Sequence, residues 1–456
     1  MNQREKFGSR LGFILISAGC AIGLGNVYRF PNITAAYGGA FFVLIYLVFL
    51  LLLGIPVLCA ELSVGRASQR SIASSFEVLE GKGQKWHLMK YLGIGGNYLI
   101  MMCYTSVAGL MLIYFVKYLT GSISSASTPA ELKELFGATV GNVYSPLLAM
   151  IVTVVLCFLV CSLGLQKGVE RITKVMMIAL LLLIVGLGVY CCTLDGTADG
   201  LKFYLIPSPE NIEKVGIWTT VSAAMGQAFF TLSLGIGSIA VFGSYIGKDR
   251  SLLGEAVTIV GLDTFVALCS GFIIFPACFT FGGGVNVNPE TLDASFLFTT
   301  LSSIFNAMPG GRIVGALFFL FMLFAAYSTV IAVFENIMSF WLEKTSLNRK
   351  SIAVINIALV IVLSLPAVLS FNILSDFKIL GMDMQTLEDK ISANILLPFG
   401  SLLYMVFCTS RYGWGWDNFL CEVNTGKGAK LPRMLRVYMS YVLPLIIAFI
   451  LLMPLF

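Results

Sequence analysis

A stretch near the N-terminus combines ion-binding chemistry with a membrane-spanning composition. Residues 17–31 lie in an apolar run, yet they contain three glycines, Asn26 and Arg29. Glycine weakens a helix, and a backbone group that is freed inside a bilayer must find a partner in the protein or beside a water-filled cavity. An arginine within the bilayer costs about 3 kcal/mol or more unless it is paired or hydrated. The stretch therefore predicts a site for an ion and a solute at the membrane midplane.

A second apolar run shows the same irregularity. Residues 231–237, with the sequence Thr-Leu-Ser-Leu-Gly-Ile-Gly, interrupt it with two glycines and two hydroxyl side chains. The two interruptions lie five predicted helices apart, and because five is odd, the two halves of the chain run in opposite orientations. Interrupted helices at matching positions of two halves indicate the binding site of an inverted-repeat transporter.

The composition indicates a polytopic α-helical membrane protein. The chain has 456 residues, of which 58% are hydrophobic and 12% charged, about half the charge of a soluble domain. Apolar runs of about 20 residues recur along it. We predict an all-α fold, namely a five-plus-five inverted repeat with discontinuous helices 1 and 6 and one additional C-terminal helix. The predicted helices lie near 11–34, 39–63, 88–120, 147–165, 168–193, 217–246, 252–281, 311–343, 351–370, 388–411 and 434–455.

The distribution of basic residues predicts the orientation. Lys and Arg are concentrated before helix 1 and in the loops that share its side, which favours a cytoplasmic N-terminus in the plasma or inner membrane and a C-terminus outside. The predicted organisation is a cytoplasmic segment 1–10, a first repeat 11–193, an extracellular loop 194–216, a second repeat 217–411, a cytoplasmic loop 412–433 and helix 11 at 434–456.

Other residue types argue against several functional classes. Most of the 11 cysteines lie inside apolar runs, and His87 is the only histidine, so a catalytic triad, a multi-histidine metal site or a disulfide framework is poorly supported. The net charge of +5 follows from the basic loops. We expect no enzymatic activity, no organic cofactor and no nucleic-acid partner.

Several motifs resemble the neurotransmitter:sodium symporter family, in its bacterial eleven-helix branch. They are Gly-Ser-Arg-Leu-Gly at 8–12, Ala-Ile-Gly-Leu-Gly-Asn at 21–26, Arg-Phe-Pro at 29–31, Gly-Ile-Pro at 54–56, Gln-Lys-Gly-Val-Glu at 166–170, Gly-Gln-Ala-Phe-Phe-Thr-Leu-Ser-Leu-Gly-Ile-Gly at 226–237 and Asn-Ile-Leu-Leu-Pro at 394–398. The resemblance implies a sodium-coupled symporter that works by alternating access.

The resemblance also implies two sodium sites. The first would use Ala21, Asn26, Thr231 and Asp263, together with the carboxylate of the substrate. The second would use Gly19, Ile22, Ala325, Ser328 and Thr329. Many relatives have Asn at the position of Asp263. Two sodium ions need a fixed negative charge beside the zwitterionic substrate, so we expect Asp263 to supply it and to make transport independent of chloride.

The implied substrate is a neutral hydrophobic or aromatic amino acid. Amine-transporting relatives have Asp at the position of Gly23, and its absence favours a substrate with a carboxylate. The resemblance places the substrate among Ala21, Gly23, Leu24, Gly25, Ile100, Tyr104, Phe230, Thr231, Ser233, Ile236, Thr329 and Val333.

The resemblance further implies two gates and one supporting residue. The outer gate would comprise Arg29, Gln227 and Asp389, with Tyr104 and Phe230 as an aromatic lid. The inner gate would comprise Arg4, Ser244, Tyr245 and Glu343. Glu61 would accept hydrogen bonds from backbone amides freed at the interruptions.

One alternative of the same architecture remains open at this stage. A sodium-independent or proton-coupled amino-acid transporter would share the fold, and the oxygen-bearing side chains of the two implied sodium sites argue against it. The sequence leaves open which amino acid is carried, the number of sodium ions, proton antiport, the oligomeric state and any second substrate site.

Overall fold

Helices form the membrane-spanning part of the protein. The computed structural model describes residues 6–123, 128–281 and 296–452. Within these ranges nine helices are long and apolar enough to cross a membrane. We number them by their order in the chain and keep the numbers 1 and 6 for the two interrupted helices described next. They are helix 2 Ala40–Ser68, helix 3 Trp86–Thr120, helix 4 Tyr144–Ser162, helix 5 Leu165–Cys192, helix 7 Leu252–Phe281, helix 8 Gly311–Lys344, helix 9 Arg349–Leu369, helix 10 Met384–Thr409 and helix 11 Arg433–Leu452.

Helices 1 and 6 are interrupted, as the sequence predicts. Helix 1 consists of Arg10–Ala21 (1a) and Gly25–Ala36 (1b), and the two halves meet at an angle of 56°. Helix 6 consists of Ile217–Thr231 (6a) and Ser238–Ser244 (6b). Between 6a and 6b, Gly235 and Gly237 have φ angles of 96° and 82°, in the left-handed region that only glycine adopts without strain.

Helix contacts repeat between the two halves. In a five-plus-five repeat, helices 1–5 correspond in order to helices 6–10. Helix 2 packs against 6b, and helix 7, which corresponds to helix 2, packs against helix 1. Helix 4 packs against helix 8, and its counterpart helix 9 packs against helix 3. The same pairings therefore occur in both halves, and the predicted all-α inverted repeat is confirmed.

Small residues allow helix 2 and 6b to approach closely. A Cβ atom on Gly65 would lie 1.8 Å from the carbonyl oxygen of Ala240, and one on Gly243 would lie 2.6 Å from the carbonyl oxygen of Leu62. Close backbone approach through glycine is the usual way to pack helices where no hydrophobic effect drives association. The crossing holds 6b in place below the interruption.

We expect the Gly65→Ala substitution to destabilise the protein. The added methyl group would collide with backbone, which cannot rotate away, and overpacking of this kind costs about 1–3 kcal/mol or more. The melting temperature of the purified protein in detergent should fall clearly. Gly261→Ala on helix 7, where no atom lies within 4 Å of the added Cβ, is the matched control and should leave it unchanged or slightly higher. Equal melting temperatures for both variants would contradict the close crossing.

The loop between helices 10 and 11 is tied to the bundle by charged groups. It contains the short helix Trp416–Val423. The fully buried Arg66 at the end of helix 2 pairs with Glu422 at 2.6 Å, and Lys248 lies 3.2 Å from the same carboxylate. The short helix is thereby fixed to helix 2 and to the segment that follows 6b.

Candidate functional site

A buried carboxylate lies between the two helix interruptions. Asp263 of helix 7 is completely buried. Its Oδ1 accepts a hydrogen bond from Asn26 Nδ2 at 2.7 Å, and its Oδ2 accepts one from the Thr231 hydroxyl at 3.1 Å. Asn26 lies in the first turn of helix 1b and Thr231 ends 6a, so one side chain joins both interrupted helices. The structure thus brings together Asn26, Thr231 and Asp263, the three predicted side-chain ligands of the first ion site.

No basic side chain among the described residues forms an ion pair with Asp263. Burial of an ionised carboxylate without a cationic partner is strongly unfavourable. The hydrogen bonds from Asn26 and Thr231 compensate only part of this cost. The Asn26 and Thr231 side chains beside the carboxylate carry oxygens of the kind that a hard cation prefers.

Backbone oxygens converge at a second point, between helix 1a and helix 8. The Thr329 hydroxyl lies 3.2 Å from the Gly19 carbonyl oxygen, 3.3 Å from that of Ile22 and 3.3 Å from that of Ala325. A hydroxyl carries one proton and can satisfy one of these acceptors at a time. Ser328 donates to the Ala325 carbonyl at 3.0 Å. The five predicted residues of the second ion site therefore surround one small region.

The first interruption also presents a backbone amide to a tyrosine hydroxyl. Leu24 N–H donates to the Tyr104 hydroxyl at 3.1 Å. A Cβ on Gly23 would lie 2.5 Å from that hydroxyl oxygen and 2.8 Å from Thr329 Oγ1, so only glycine fits there. Tyr104 and Phe230 are partly exposed although they lie within the bundle, which places them on the wall of a cavity.

Apolar side chains and the second interruption form the rest of the predicted substrate pocket. Ile100 and Ser233 are partly exposed, whereas Ile236 and Val333 are buried. Ser233 adopts a φ of 50°, an uncommon conformation for a residue other than glycine, at the interruption of helix 6. A Cβ on Gly25 would lie 3.0 Å from the Phe230 ring, so the aromatic ring covers the start of helix 1b.

Glu61 of helix 2 lies at the interruption of helix 6. The residue is fully buried, and its Oε2 accepts a hydrogen bond from Gly235 N at 3.1 Å. The carboxylate also faces the amides of Gly237, Ile239 and Ala240 at the start of 6b. This is the placement expected for an acceptor of freed amides.

The predicted outer-gate residues lie around Phe230. The Arg29 guanidinium carbon is 4.1 Å from the centre of the Phe230 ring, and Gln227 Nε2 donates to the Gly25 carbonyl at 2.9 Å. The exposed Asp389 interacts electrostatically with Arg29, but no ion pair within 4 Å joins the two. Of the neighbouring acids, Asp383 caps the helix Met384–Lys390 through Thr386 N at 2.9 Å.

Three of the predicted inner-gate residues, Ser244, Tyr245 and Glu343, lie within the described part of the chain. The Tyr245 hydroxyl donates to Glu335 at 3.0 Å, and Glu335 also pairs with Arg349. Glu343 accepts from Ser71 N at 2.7 Å, and the Ser244 hydroxyl donates to the Val241 carbonyl at 2.6 Å. Arg4 lies outside the described residues.

Comparison with known proteins identifies the family. A family model described as the sodium:neurotransmitter symporter family matches residues 4–134 and 130–456 of the chain. The chain belongs to this family. It is accordingly an integral membrane protein.

Two curated relatives and one solved structure show the extent of the similarity. The uncharacterized sodium-dependent transporter YhdH of Bacillus subtilis is 33% identical over 93% of this chain and 91% of its own length. An uncharacterized sodium-dependent transporter of Haemophilus influenzae is 29% identical over 100% of this chain and 99% of its own. The crystal structure of MhsT in complex with L-phenylalanine superposes with a TM-score of 0.86, at 33% identity, over 98% of this chain and 99% of MhsT.

Sequence reasoning missed several residues that contact the predicted sites of this symporter-family chain. Ser270 of helix 7 donates to the Asn26 carbonyl at 2.9 Å. Tyr46 of helix 2 is fully buried beside Asp263 and Thr231. Asn97 of helix 3 donates to the Ile236 carbonyl at 2.9 Å and so holds the interruption of helix 6. Polar residues in apolar helices were the available signal, but the sequence does not show which of them face the interruptions.

Proposed function

We propose that this chain couples the inward movement of sodium ions to the uptake of a neutral hydrophobic or aromatic amino acid by alternating access. We further propose that the N-terminus is cytoplasmic and that transport does not require chloride. The observation that carries the proposal is the completely buried Asp263 carboxylate, which holds Asn26 and Thr231 and has no basic partner among the described residues.

Sodium binding would compensate the charge of Asp263. A monovalent hard cation beside the carboxylate removes most of the cost of its burial, and oxygens of both interrupted helices complete the coordination. The Gly19, Ile22 and Ala325 carbonyls and the Thr329 and Ser328 hydroxyls supply a second set. Two sodium ions per substrate molecule are the expected number.

An α-amino acid matches the cavity at the interruptions. The amides at Leu24 and Gly25, with the Tyr104 hydroxyl, would bind its carboxylate at the N-terminal end of a half-helix. Backbone carbonyls of helix 6 would bind its ammonium group. Ile100, Phe230, Ile236 and Val333 would contact an apolar side chain, consistent with the L-phenylalanine bound in the similar structure of MhsT.

Chloride independence would follow from the same carboxylate. Two sodium ions carry two positive charges, and the zwitterionic substrate adds none. A negative charge at Asp263 reduces the excess positive charge in a site of low dielectric constant. A relative without that carboxylate would need a bound anion to achieve the same reduction. Asp263 would supply the negative charge from the protein itself.

Uptake by purified protein in liposomes tests the proposal. We expect uptake of a labelled apolar amino acid when an inward sodium gradient is present, and we expect it to vanish when choline replaces sodium. Replacement of chloride by gluconate should leave the rate unchanged, and loss of uptake in gluconate would reject chloride independence. Uptake driven by a proton gradient without sodium would support the proton-coupled alternative instead.

A thermal-shift screen identifies the substrate in the same preparation. We expect stabilisation by one or a few apolar amino acids only when sodium is also present, because the carboxylate of the substrate completes an ion site.

A further inference from the structure

A groove between helices 3 and 10 lies far along both helices from the ion sites. It has a volume of about 580 Å³ and is lined by Gln84, Lys85, Trp86, Leu88, Met89, Leu92, Phe399, Leu403 and Tyr412. Leu88 and Phe399 are 51% and 38% exposed. Because both residues belong to membrane-spanning helices, the groove opens toward lipid.

The groove is closed at both ends. At the membrane surface, the Trp86 indole N–H donates to the Tyr412 carbonyl at 2.6 Å and links the start of helix 3 to the segment after helix 10. Toward the membrane centre, helix 10 closes against helix 3, since a Cβ on Gly96 would lie 2.6 Å from a Leu396 methyl group. A bounded groove selects one molecule, whereas a smooth helix face only contacts bulk lipid.

Polarity changes along the groove in the way that an amphiphile requires. Gln84, Lys85 and Tyr412 lie at the surface end, where the aromatic and basic residues match a membrane interface. Leu88 and Leu92 lie one helical turn apart on helix 3, which is about 6 Å along the helix axis. Leu403 and Phe399 lie at similar spacing on helix 10, with Phe399 deeper in the membrane. The deep end is entirely apolar.

The surface end carries uncompensated positive charge. Lys85 is exposed and has no ion-pair partner among the described residues. Arg411 is also exposed, and its guanidinium donates to the Tyr412 hydroxyl at 2.7 Å and stacks on that ring at 4.8 Å. The nearby acid Glu80 lies 2.8 Å from His87 Nδ1 and forms no ion pair with Lys85. The charge at the end of the groove is therefore available to an anion.

We propose that this groove binds one anionic phospholipid, with its phosphate near Lys85 and Arg411 and an acyl chain along Leu88, Leu92, Phe399 and Leu403. With the orientation proposed above, the lipid comes from the cytoplasmic leaflet, which is the only part of the proposed function on which the inference rests. Basic side chains at the membrane surface and an apolar groove together recognise both halves of such a lipid.

The test compares lipids on the delipidated full-length protein in detergent. We expect dioleoylphosphatidylglycerol to raise the melting temperature saturably and native mass spectrometry to retain one copy of it. Dioleoylphosphatidylcholine, with identical chains, should stabilise less. An equal shift with both lipids would overturn the proposal, and so would an equal shift with glycerol 1-phosphate, which would indicate a site for a soluble anion.

Substitutions then locate the lipid. Lys85→Gln with Arg411→Gln should weaken phosphatidylglycerol binding roughly thirtyfold. Each basic residue at the membrane surface contributes about fivefold to the affinity for an anionic lipid, and the variant removes two of them. Lys133→Gln with Lys378→Gln, an equal charge change at two exposed positions elsewhere, should have no effect. If this control variant weakens binding as much, the effect is non-specific and the proposal fails.

Leu92→Trp tests the apolar half of the groove. The larger side chain should fill the deep end and abolish the stabilisation by phosphatidylglycerol, and stabilisation that persists in full would show that the acyl chain lies elsewhere. Arg411→Gln alone, on an exposed side chain, provides the charge test if the double variant does not fold. Sodium-dependent uptake is measured independently, so its absence would reject the proposed transport without bearing on lipid binding.

Discussion

The Asp263→Asn variant should lose at least about a hundredfold in sodium affinity. Asparagine has the same shape, and its oxygen can still accept from Asn26 while the Thr231 hydroxyl reorients, so the substitution removes mainly the charge. Removal of one partner from a buried charge pair costs about 3–5 kcal/mol, which is a hundredfold or more in affinity. The measurement is the sodium dependence of the melting temperature and of uptake at saturating amino acid.

Asp376→Asn is the matched control for this substitution. Asp376 is exposed and has no ion pair among the described residues, so the same chemical change should leave the sodium dependence untouched. An Asp263→Asn variant with the sodium midpoint of the unmodified protein would remove Asp263 from the ion site, and with it the explanation for chloride independence.

The Gly23→Ala variant should lose about 10- to 100-fold in amino-acid affinity. The new methyl group would lie 2.5 Å from the Tyr104 hydroxyl, which is held by Leu24 N–H, and 2.8 Å from Thr329 Oγ1. Both side chains must move, and overpacking of this kind costs about 1–3 kcal/mol. Displacement of Thr329 also disturbs the convergence of carbonyls at the second ion site, so sodium affinity should fall with it.

Binding of the amino acid and of sodium to purified Gly23→Ala protein checks this prediction. Gly95→Ala on helix 3 is the control, because no atom lies within 4 Å of the added Cβ and the position is exposed. If both variants bind substrate like the unmodified protein, Gly23 does not face the substrate cavity.

The contacts of Asp263 suggest how ion and substrate binding change the conformation. Asp263 links Asn26 at the start of 1b to Thr231 at the end of 6a, while Thr329 links helix 8 to 1a. Sodium at both sites would strengthen links between the interrupted helices and the remainder of the bundle. Binding energy that differs between conformations is what shifts their populations. The Arg29 and Asp389 side chains interact without a direct ion pair, and we expect such a shift to bring them into contact as the outer gate that the resemblance implies.

The helix interruptions could be predicted from the sequence because their cause is local. Glycines and hydroxyl residues in an apolar run disfavour a continuous helix whatever surrounds them, and the bilayer then requires a partner for each freed backbone group. The number and length of spans follow from the same composition. The family motifs extended the prediction to side chains, and the structure places Asn26 and Thr231 each in contact with Asp263.

Other contacts depend on how distant segments pack. Ser270 and Asn97 resemble many other polar residues in apolar helices, and nothing in their neighbourhood shows that they reach the Asn26 and Ile236 carbonyls. Glu335 received no role from the sequence, yet it contacts Tyr245 and Arg349.

The sequence by itself determined that two helices must break inside a membrane and which oxygens those breaks release. Only the tertiary structure decided that Asp389 interacts with Arg29, which hydroxyl meets the Gly19 carbonyl, and that helices 3 and 10 separate into a groove below Gly96. The physical reason is that backbone strain and membrane insertion are set by residues adjacent in the chain. Side-chain pairing is set by packing between segments that lie hundreds of residues apart.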